Sequence, residues 1–203
     1  MNKVKLFLDF DGTITNSSKA ICECYNEIYK DYSEFKPANW WENNTWNYTD
    51  ICPLMERPNK LFSDKRFFDR LEFINCNTKE IIEEISKYYE IIITSIGTPE
   101  NISYKSLWLK TNLPVIKEYI FLSNEHCTMD KSVVNMSCSI FIDDVNSNLE
   151  SSNAKVKIIF GDEYPWNETS LCLRCYNWSD VYVFLMDLYK NNIARIGSDS
   201  YIF

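Results

Sequence analysis

Val4-Lys5-Leu6-Phe7-Leu8-Asp9-Phe10-Asp11-Gly12-Thr13 is the stretch on which the reading of this chain turns. A short apolar run of the kind that makes a buried strand ends abruptly in two carboxylates and a glycine. Side chains alternate along a strand, so Asp9 and Asp11 are expected on the same side. Two like charges held that close repel, and folding gains nothing from them alone. A divalent cation or a phosphoryl-transfer reaction would explain the pair.

Working outward, apolar runs of the same type recur at Leu6–Leu8, Ile91–Ile93, Ile140–Ile142 and Val156–Phe160. Each is short and non-alternating, which suits a central strand of a parallel sheet covered on both faces. Helix-like segments lie between them. Thr78 is a plausible N-cap for a helix with Ile81, Ile82, Ile85 and Tyr88 on one side. Tyr104 to Leu113 reads as a helix stopped before Pro114, and Ser179 as the cap of a final helix with Val181, Phe184, Leu185 and Leu188 inward. Such alternation predicts an α/β fold with a doubly wound parallel sheet. Residues 16–75 break the pattern. After a first helix (Ser18 to about Tyr32) comes the aromatic stretch Trp40-Trp41-Glu42-Asn43-Asn44-Thr45-Trp46, punctuated further on by Pro53 and Pro58. It is read as a small, mostly helical cap inserted after the first strand, with 1–15 and 76–203 forming the core.

The bulk numbers narrow the function. The chain has 203 residues, 45% of them hydrophobic and 15% aromatic, ample for a packed core. Only four glycines occur, so Gly12 after the carboxylates marks a special backbone requirement. A net charge of −8 disfavours a nucleic-acid polymer as partner, because that draws on clustered Lys and Arg. A small anionic substrate stays open, since a few local cations and a metal suffice. No window reaches the roughly 18 apolar residues of a membrane span, and no secretory leader is recognisable. The eight cysteines are therefore expected as reduced thiols in a cytoplasm. Cys172 and Cys175 have metal-ligand spacing, but Cys22 and Cys24 do not match it, and incidental or buried thiols are the expectation.

Three of the strands end in polar residues: Asp9 and Asp11, then Thr94-Ser95, then Asp143-Asp144. In a parallel α/β sheet the carboxyl ends of the strands share one edge, where ligands bind. Three separate motifs are thus expected to converge on one pocket.

This arrangement resembles the haloacid dehalogenase-like (HAD) superfamily of phosphatases. Its D-x-D-G-T/V motif stands here as Asp9-Phe10-Asp11-Gly12-Thr13, its Thr/Ser-ended strand as Ile91-Ile92-Ile93-Thr94-Ser95, and its acidic pair as Asp143-Asp144. A narrower resemblance, to the 5'(3')-deoxyribonucleotidase family, is carried by Met129-Asp130-Lys131-Ser132-Val133-Val134, Ser63-Asp64-Lys65-Arg66-Phe67-Phe68 and Tyr176-Asn177-Trp178-Ser179-Asp180. Thr13 departs from that family, which often has Val there. The resemblance implies a Rossmann-like core and a Mg2+-dependent phosphomonoesterase acting on (deoxy)ribonucleoside monophosphates through an aspartyl-phosphate. Asp9 would be the nucleophile and Asp11 the general acid and base. Asp9, the backbone carbonyl of Asp11 and Asp144 would hold Mg2+, with Asp143 beside them. Lys131, Thr94 and Ser95 would bind the phosphate, and Lys105 is a second candidate cation.

Plainer readings stand beside these. Lys105 also reads as a solvated helix lysine, Ser95 as a cap, and the single histidine, His126, as a loop residue. In the cap, Phe62 and Trp40 are the candidates for stacking on a nucleobase, although a small helical insertion also needs aromatics for its own core. The competing functions are a HAD phosphatase for another small metabolite, such as a sugar phosphate, and a nucleotide-binding protein without turnover. An intact Asp11 speaks against the latter, since binding alone does not need it. A homodimer stays open.

Overall fold

The computed structural model describes residues 3–45, 47–55, 58–125 and 130–196; at 58–59 and 192–196 it describes the backbone alone. His126 and Trp46 lie outside the described residues.

Six parallel strands form one sheet in the order β3-β2-β1-β4-β5-β6, where β1 is Val4–Leu8, β2 Tyr89–Gly97, β3 Glu118–Ser123, β4 Ile140–Asp143, β5 Val156–Phe160 and β6 Leu173–Cys175. The expected apolar runs supply four of them. The two that the sequence pattern did not reveal, β3 and β6, are the edges of the sheet, where all residues but Cys175 are half-buried or exposed. The β2 strand also runs past its expected end at Thr94-Ser95 as far as Gly97.

Alternation sorts the strand residues onto two faces. Leu6, Leu8, Ile91, Ile93, Ile140, Ile142, Ile158 and Phe160 pack in one cluster with Ile82 and Ile85 of α4 (Thr78–Ile85), Trp108 and Leu109 of α5 (Pro99–Asn112), and Val181 and Leu185 of α7 (Trp178–Ile196). Phe7, Ile92, Phe141 and Ile159 face the other way, onto Val134, Met136 and Leu149 of α6 (Asn146–Ser151). Both faces are covered, as a parallel sheet requires.

Local signals set the helix starts, with small differences from expectation. The N-cap of α4 is Asn77; Thr78 is its first residue, and its hydroxyl reaches back to accept the Asn75 N–H at 3.0 Å. Helix α5 begins at Pro99, capped by Thr98, so it is longer than the apolar spacing implied. Helix α7 is entered through Asn177, whose side chain accepts the Asp180 N–H at 3.1 Å, while Ser179 accepts a hydrogen bond from Asn77.

The segment after β1 holds α1 (Ser17–Tyr29), a 3-10 turn at Trp40–Glu42, α2 (Pro58–Phe62) and α3 (Lys65–Asp69). It is helical at its two ends and built largely of turns between. Its apolar residues form a cluster of their own, including Ala20, Ile21, Tyr25, Met55, Leu61, Phe67 and Phe68, with Tyr104 of α5 packed against it.

Candidate active site

Register brings the three polar strand ends level. Leu8 pairs with Ile93 on one side and Ile142 on the other, so the next residues, Asp9, Thr94 and Asp143, lie side by side. The Asp9 N–H donates to the Ile142 carbonyl at 3.0 Å, continuing the ladder. Asp9 shares the parity of Phe7, and Asp143 that of Phe141. The face they share is covered by the loop carrying Lys131 and Val134, and Lys131 lies 5.3 Å from the Phe141 ring centre. Lys131 is 1% exposed and donates to Asp9 and, at 2.6 Å, to Asp143.

Asp11 does not continue that alternation. The strand ends at Leu8, and the following turn folds back through the N–H groups of Ile14 and Thr15 onto the Phe10 carbonyl. Gly12 adopts φ +70° in this turn, and a Cβ there would collide with the Asp144 carboxylate, so both backbone angle and space require glycine. The Asp11 carboxylate is held from the opposite side of the sheet by Lys105 of α5, with Ser17 Oγ donating to its other oxygen at 2.7 Å. The two carboxylates that looked like one repelling pair are therefore each matched with a different lysine.

The remaining expected residues divide clearly. Thr94 and Ser95 are buried at the same edge; Ser95 Oγ accepts from Lys105 at 2.8 Å, and Thr94 Oγ1 has no hydrogen-bond partner among the described residues. Phe62 is half-buried in the aromatic cluster, 5.1 Å from the Phe67 ring and 5.9 Å from that of Tyr48. Trp40 is 37% exposed and packs edge-on against Trp41.

Several participants carried no sequence signal strong enough to single them out. Asn148 donates to both oxygens of Asp143 at 3.1 Å, and the Val145 N–H donates to one of them at 2.8 Å. Asn167 is fully buried and donates to the Asp144 carbonyl at 3.1 Å. Tyr48 sits in the left-handed backbone region (φ 59°), with its hydroxyl 2.9 Å from Ser18 Oγ. Burial pushes its phenol pKa up, and the charges of Asp144 and Asp11 add to that. A side-chain amide four or five residues past an acidic pair is too common a pattern to read in advance.

The electrostatics point to a cation. Burial pushes the Asp9 carboxyl up to about 7 against the pull of Lys131, with Asp143 and Asp11 adding to the rise. Burial, with Asp143 and Asp9, also holds Asp144 well above the ordinary carboxylate range. Burial alone would lower the Lys131 ammonium, but Asp143 and Asp9 outweigh it and raise it. Four carboxylates (Asp9, Asp11, Asp143, Asp144) face two ammonium groups (Lys105, Lys131) here. Oxygens of Asp9, Asp143 and Asp144 lie within 4.8 Å of one another, and Asp144 Oδ1 is buried with no partner among the described residues. Asp143 is the best satisfied of the three, which leaves Asp9 and Asp144 with lone pairs to offer. An all-oxygen donor set with a two-charge excess fits a hard divalent ion. The seven cysteines described are all free thiols, and the acidic trio is the metal-competent group found among the described residues.

A parallel sheet with this acidic edge, a buried lysine and a hydroxyl-ended strand defines a phosphatase of the haloacid dehalogenase-like class. Solved structures agree on the fold. A predicted phosphatase from Clostridium acetobutylicum superposes with a TM-score of 0.68 at 9% identity, over 93% of this chain and 100% of that one. A haloacid dehalogenase-like hydrolase from Streptococcus pneumoniae gives 0.61 at 13% identity, over 90% and 98%. A Bacillus subtilis HAD-hydrolase bound to magnesium gives 0.59 at 10% identity, over 91% and 99%. The chain belongs to the 5' nucleotidase, deoxy (Pyrimidine), cytosolic type C family, whose model matches residues 2–191. It is also 26% identical over 187 residues to a 5'(3')-deoxyribonucleotidase of Clostridium acetobutylicum, covering 89% of this chain and 94% of that protein.

Proposed function

We propose that this phosphatase hydrolyses deoxyribonucleoside monophosphates in the cytoplasm, with Mg2+ and through an aspartyl-phosphate on Asp9. The observation that carries the reading is the convergence on one edge of a lysine-held carboxylate, an unsatisfied carboxylate oxygen of Asp144 and an unsatisfied hydroxyl of Thr94. Such orphan groups in a buried place call for a ligand that brings both a cation and phosphate oxygens. The family and the clostridial relative favour a nucleotide as the ester.

Asp9, Asp144 and the backbone carbonyl of Asp11 would hold Mg2+, with Asp143 beside them. Bound there, the ion would offset the repulsion between a carboxylate nucleophile and an anionic phosphate. Lys131 orients Asp9 and has one N–H beyond its bonds to Asp9 and Asp143, which would reach a phosphate oxygen. Thr94 and Ser95 would each donate a hydroxyl hydrogen to the other oxygens. Asp9 attacks phosphorus in line and the bond to the nucleoside oxygen breaks, while Asp11 protonates that oxygen. Asp11 then takes a proton from water, which attacks phosphorus and releases phosphate with Asp9 regenerated. Residues 16–75 would act as the cap that closes over this edge and excludes water, with Phe62 and Trp40 offering faces to the base.

The test is a panel of phosphomonoesters with and without Mg2+. Release of phosphate from deoxyribonucleoside monophosphates in preference to sugar phosphates, and only with the metal, is expected. Turnover of a sugar phosphate while every deoxynucleotide stays intact would refute the nucleotidase reading.

A further inference from the structure

Lys105 has the buried position of a ligand-binding cation but not its freedom. It is 1% exposed, and its ammonium reaches Asp11 Oδ2, Ser95 Oγ at 2.8 Å and the Ile96 carbonyl at 3.1 Å. An ammonium has three N–H groups and no acceptor, so these bonds use all of them. Lys131 differs on this point: among the described residues its ammonium donates to Asp9 and Asp143, leaving one N–H over. Asp11 is correspondingly fixed at both oxygens, by Lys105 on one and by Ser17 Oγ at 2.7 Å on the other. The stem of Lys105 is walled by Phe10, whose ring centre lies 5.4 Å from the nitrogen, so the ammonium cannot swing away without leaving a buried charge unpaired.

We infer that Lys105 is a positioning residue for Asp11, the proposed acid and base, and that phosphate is bound by Lys131 and the strand hydroxyls without it. This rests on the phosphatase reading of the site. Its chemical content is that the two lysines divide the two carboxylates: Lys131 serves the attacking group and the phosphate, Lys105 serves the proton carrier. A proton carrier held at both oxygens delivers its proton along a defined line to the leaving oxygen, which matters most when that oxygen is a poor leaving group.

The experiment uses Lys105→Met, which keeps the length of the stem and removes the charge, with Ser17→Ala as a second, smaller change at the other oxygen of Asp11. Rates are measured on a deoxyribonucleoside 5'-monophosphate and on p-nitrophenyl phosphate, whose leaving group needs no protonation. Inhibition by inorganic phosphate in the presence of Mg2+ reports anion binding separately. For Lys105→Met, kcat on the nucleotide is expected to fall about 100-fold, in the range of general acid–base catalysis. On p-nitrophenyl phosphate, where Asp11 is needed only to activate water on the aspartyl-phosphate, the fall should be smaller, and the inhibition constant of phosphate should stay within about twofold. Ser17→Ala should show the same signature more weakly. A rise of tenfold or more in both KM and the phosphate inhibition constant, with kcat retained, would overturn the proposal and make Lys105 a phosphate ligand.

A double-variant cycle reads the same coupling in kcat and, independently of turnover, in the melting temperature. Adding Lys105→Met to Asp11→Asn should cost no further kcat and less melting temperature than it costs in the wild type, because its partner charge is already gone. Additive losses would overturn the assignment. A wild-type protein that hydrolyses no ester would instead refute the phosphatase reading, and the melting cycle would still decide whether Lys105 and Asp11 act as a pair.

Discussion

The sheet edge and the segment inserted after β1 are built on different principles. At the edge, charged side chains are buried and most are matched to a lysine from a neighbouring loop or helix, Lys131 with Asp9 and Asp143 and Lys105 with Asp11, while Asp144 keeps an unsatisfied oxygen. In the segment from α1 to α3, aromatic rings pack on one another, as Tyr25 does on Tyr29 and Phe68 on Tyr104, and the ion pairs, such as Lys65 with Asp69, lie on the surface. Buried charges tolerate no displacement, because losing a partner leaves an uncompensated charge. Packed rings tolerate rearrangement at modest cost. The difference fits the proposed division of roles, chemistry at the edge and a cap over it.

That contrast can be broken by substitution, most severely at the proposed nucleophile. Asp9→Asn is expected to abolish phosphate release while leaving the protein folded, since Lys131 keeps Asp143 as a partner. Circular dichroism and a phosphate-release assay check both halves, and near-normal turnover would remove Asp9 from its role. Next in size is Thr94→Val, which swaps a buried hydroxyl with no protein partner for a methyl group. It should lower kcat about 10²–10³-fold, as removal of one transition-state donor does elsewhere, without lowering the melting temperature. A destabilised but fully active variant would show that the hydroxyl serves the fold.

In the insertion, the effect should move from kcat to KM. Trp40→Ala removes an exposed ring from no core, so stability should hold. If the ring stacks on a base, about 1–3 kcal/mol is lost, roughly a fivefold to hundredfold rise in KM for nucleotides and none for p-nitrophenyl phosphate. Equal changes on both substrates would remove Trp40 from base recognition.

The smallest effect is one of pH and metal. Burial raises the Asp9 carboxyl from 3.8 to about 7, so in this window the folded chain binds a proton that the unfolded chain has released. Stability of the metal-free protein should therefore fall as pH rises from about 4 towards 7, the opposite of a carboxylate stabilised by its partner. Mg2+ held by Asp9 as proposed would relieve that penalty, so the metal should raise the melting temperature more at about pH 8 than at about pH 5. A metal effect independent of pH would argue that Asp9 is not a ligand. The same titration in Asp9→Asn should show a flatter profile.

The sequence made the central strands legible because each is an unbroken apolar run buried on both faces, and the site followed from what stood at their ends. Asp9, Thr94 and Asp143 could be grouped before any coordinates, since parallel strands share an edge. The edge strands β3 and β6 escaped notice: Glu118–Ser123 is half-buried and Leu173–Cys175 only three residues long, so neither leaves a strong apolar signature. Asn77 caps α4 by its place in the turn, without a side-chain hydrogen bond, and the early start of α5 rests on Thr98 accepting the Asn101 N–H; spacing reveals neither.

What the sequence by itself determined, then, is the four central strands, their polar edge and the kinds of side chain gathered there, because periodicity and motif spacing are local properties of the chain. Which charge meets which was decided only in three dimensions. The turn at Gly12 takes Asp11 out of the strand's alternation and across to α5, and only register and helix placement put Lys131 on one side of the opening carboxylates and Lys105 on the other. Pairing energies depend on distance and burial, and neither is written in the order of residues.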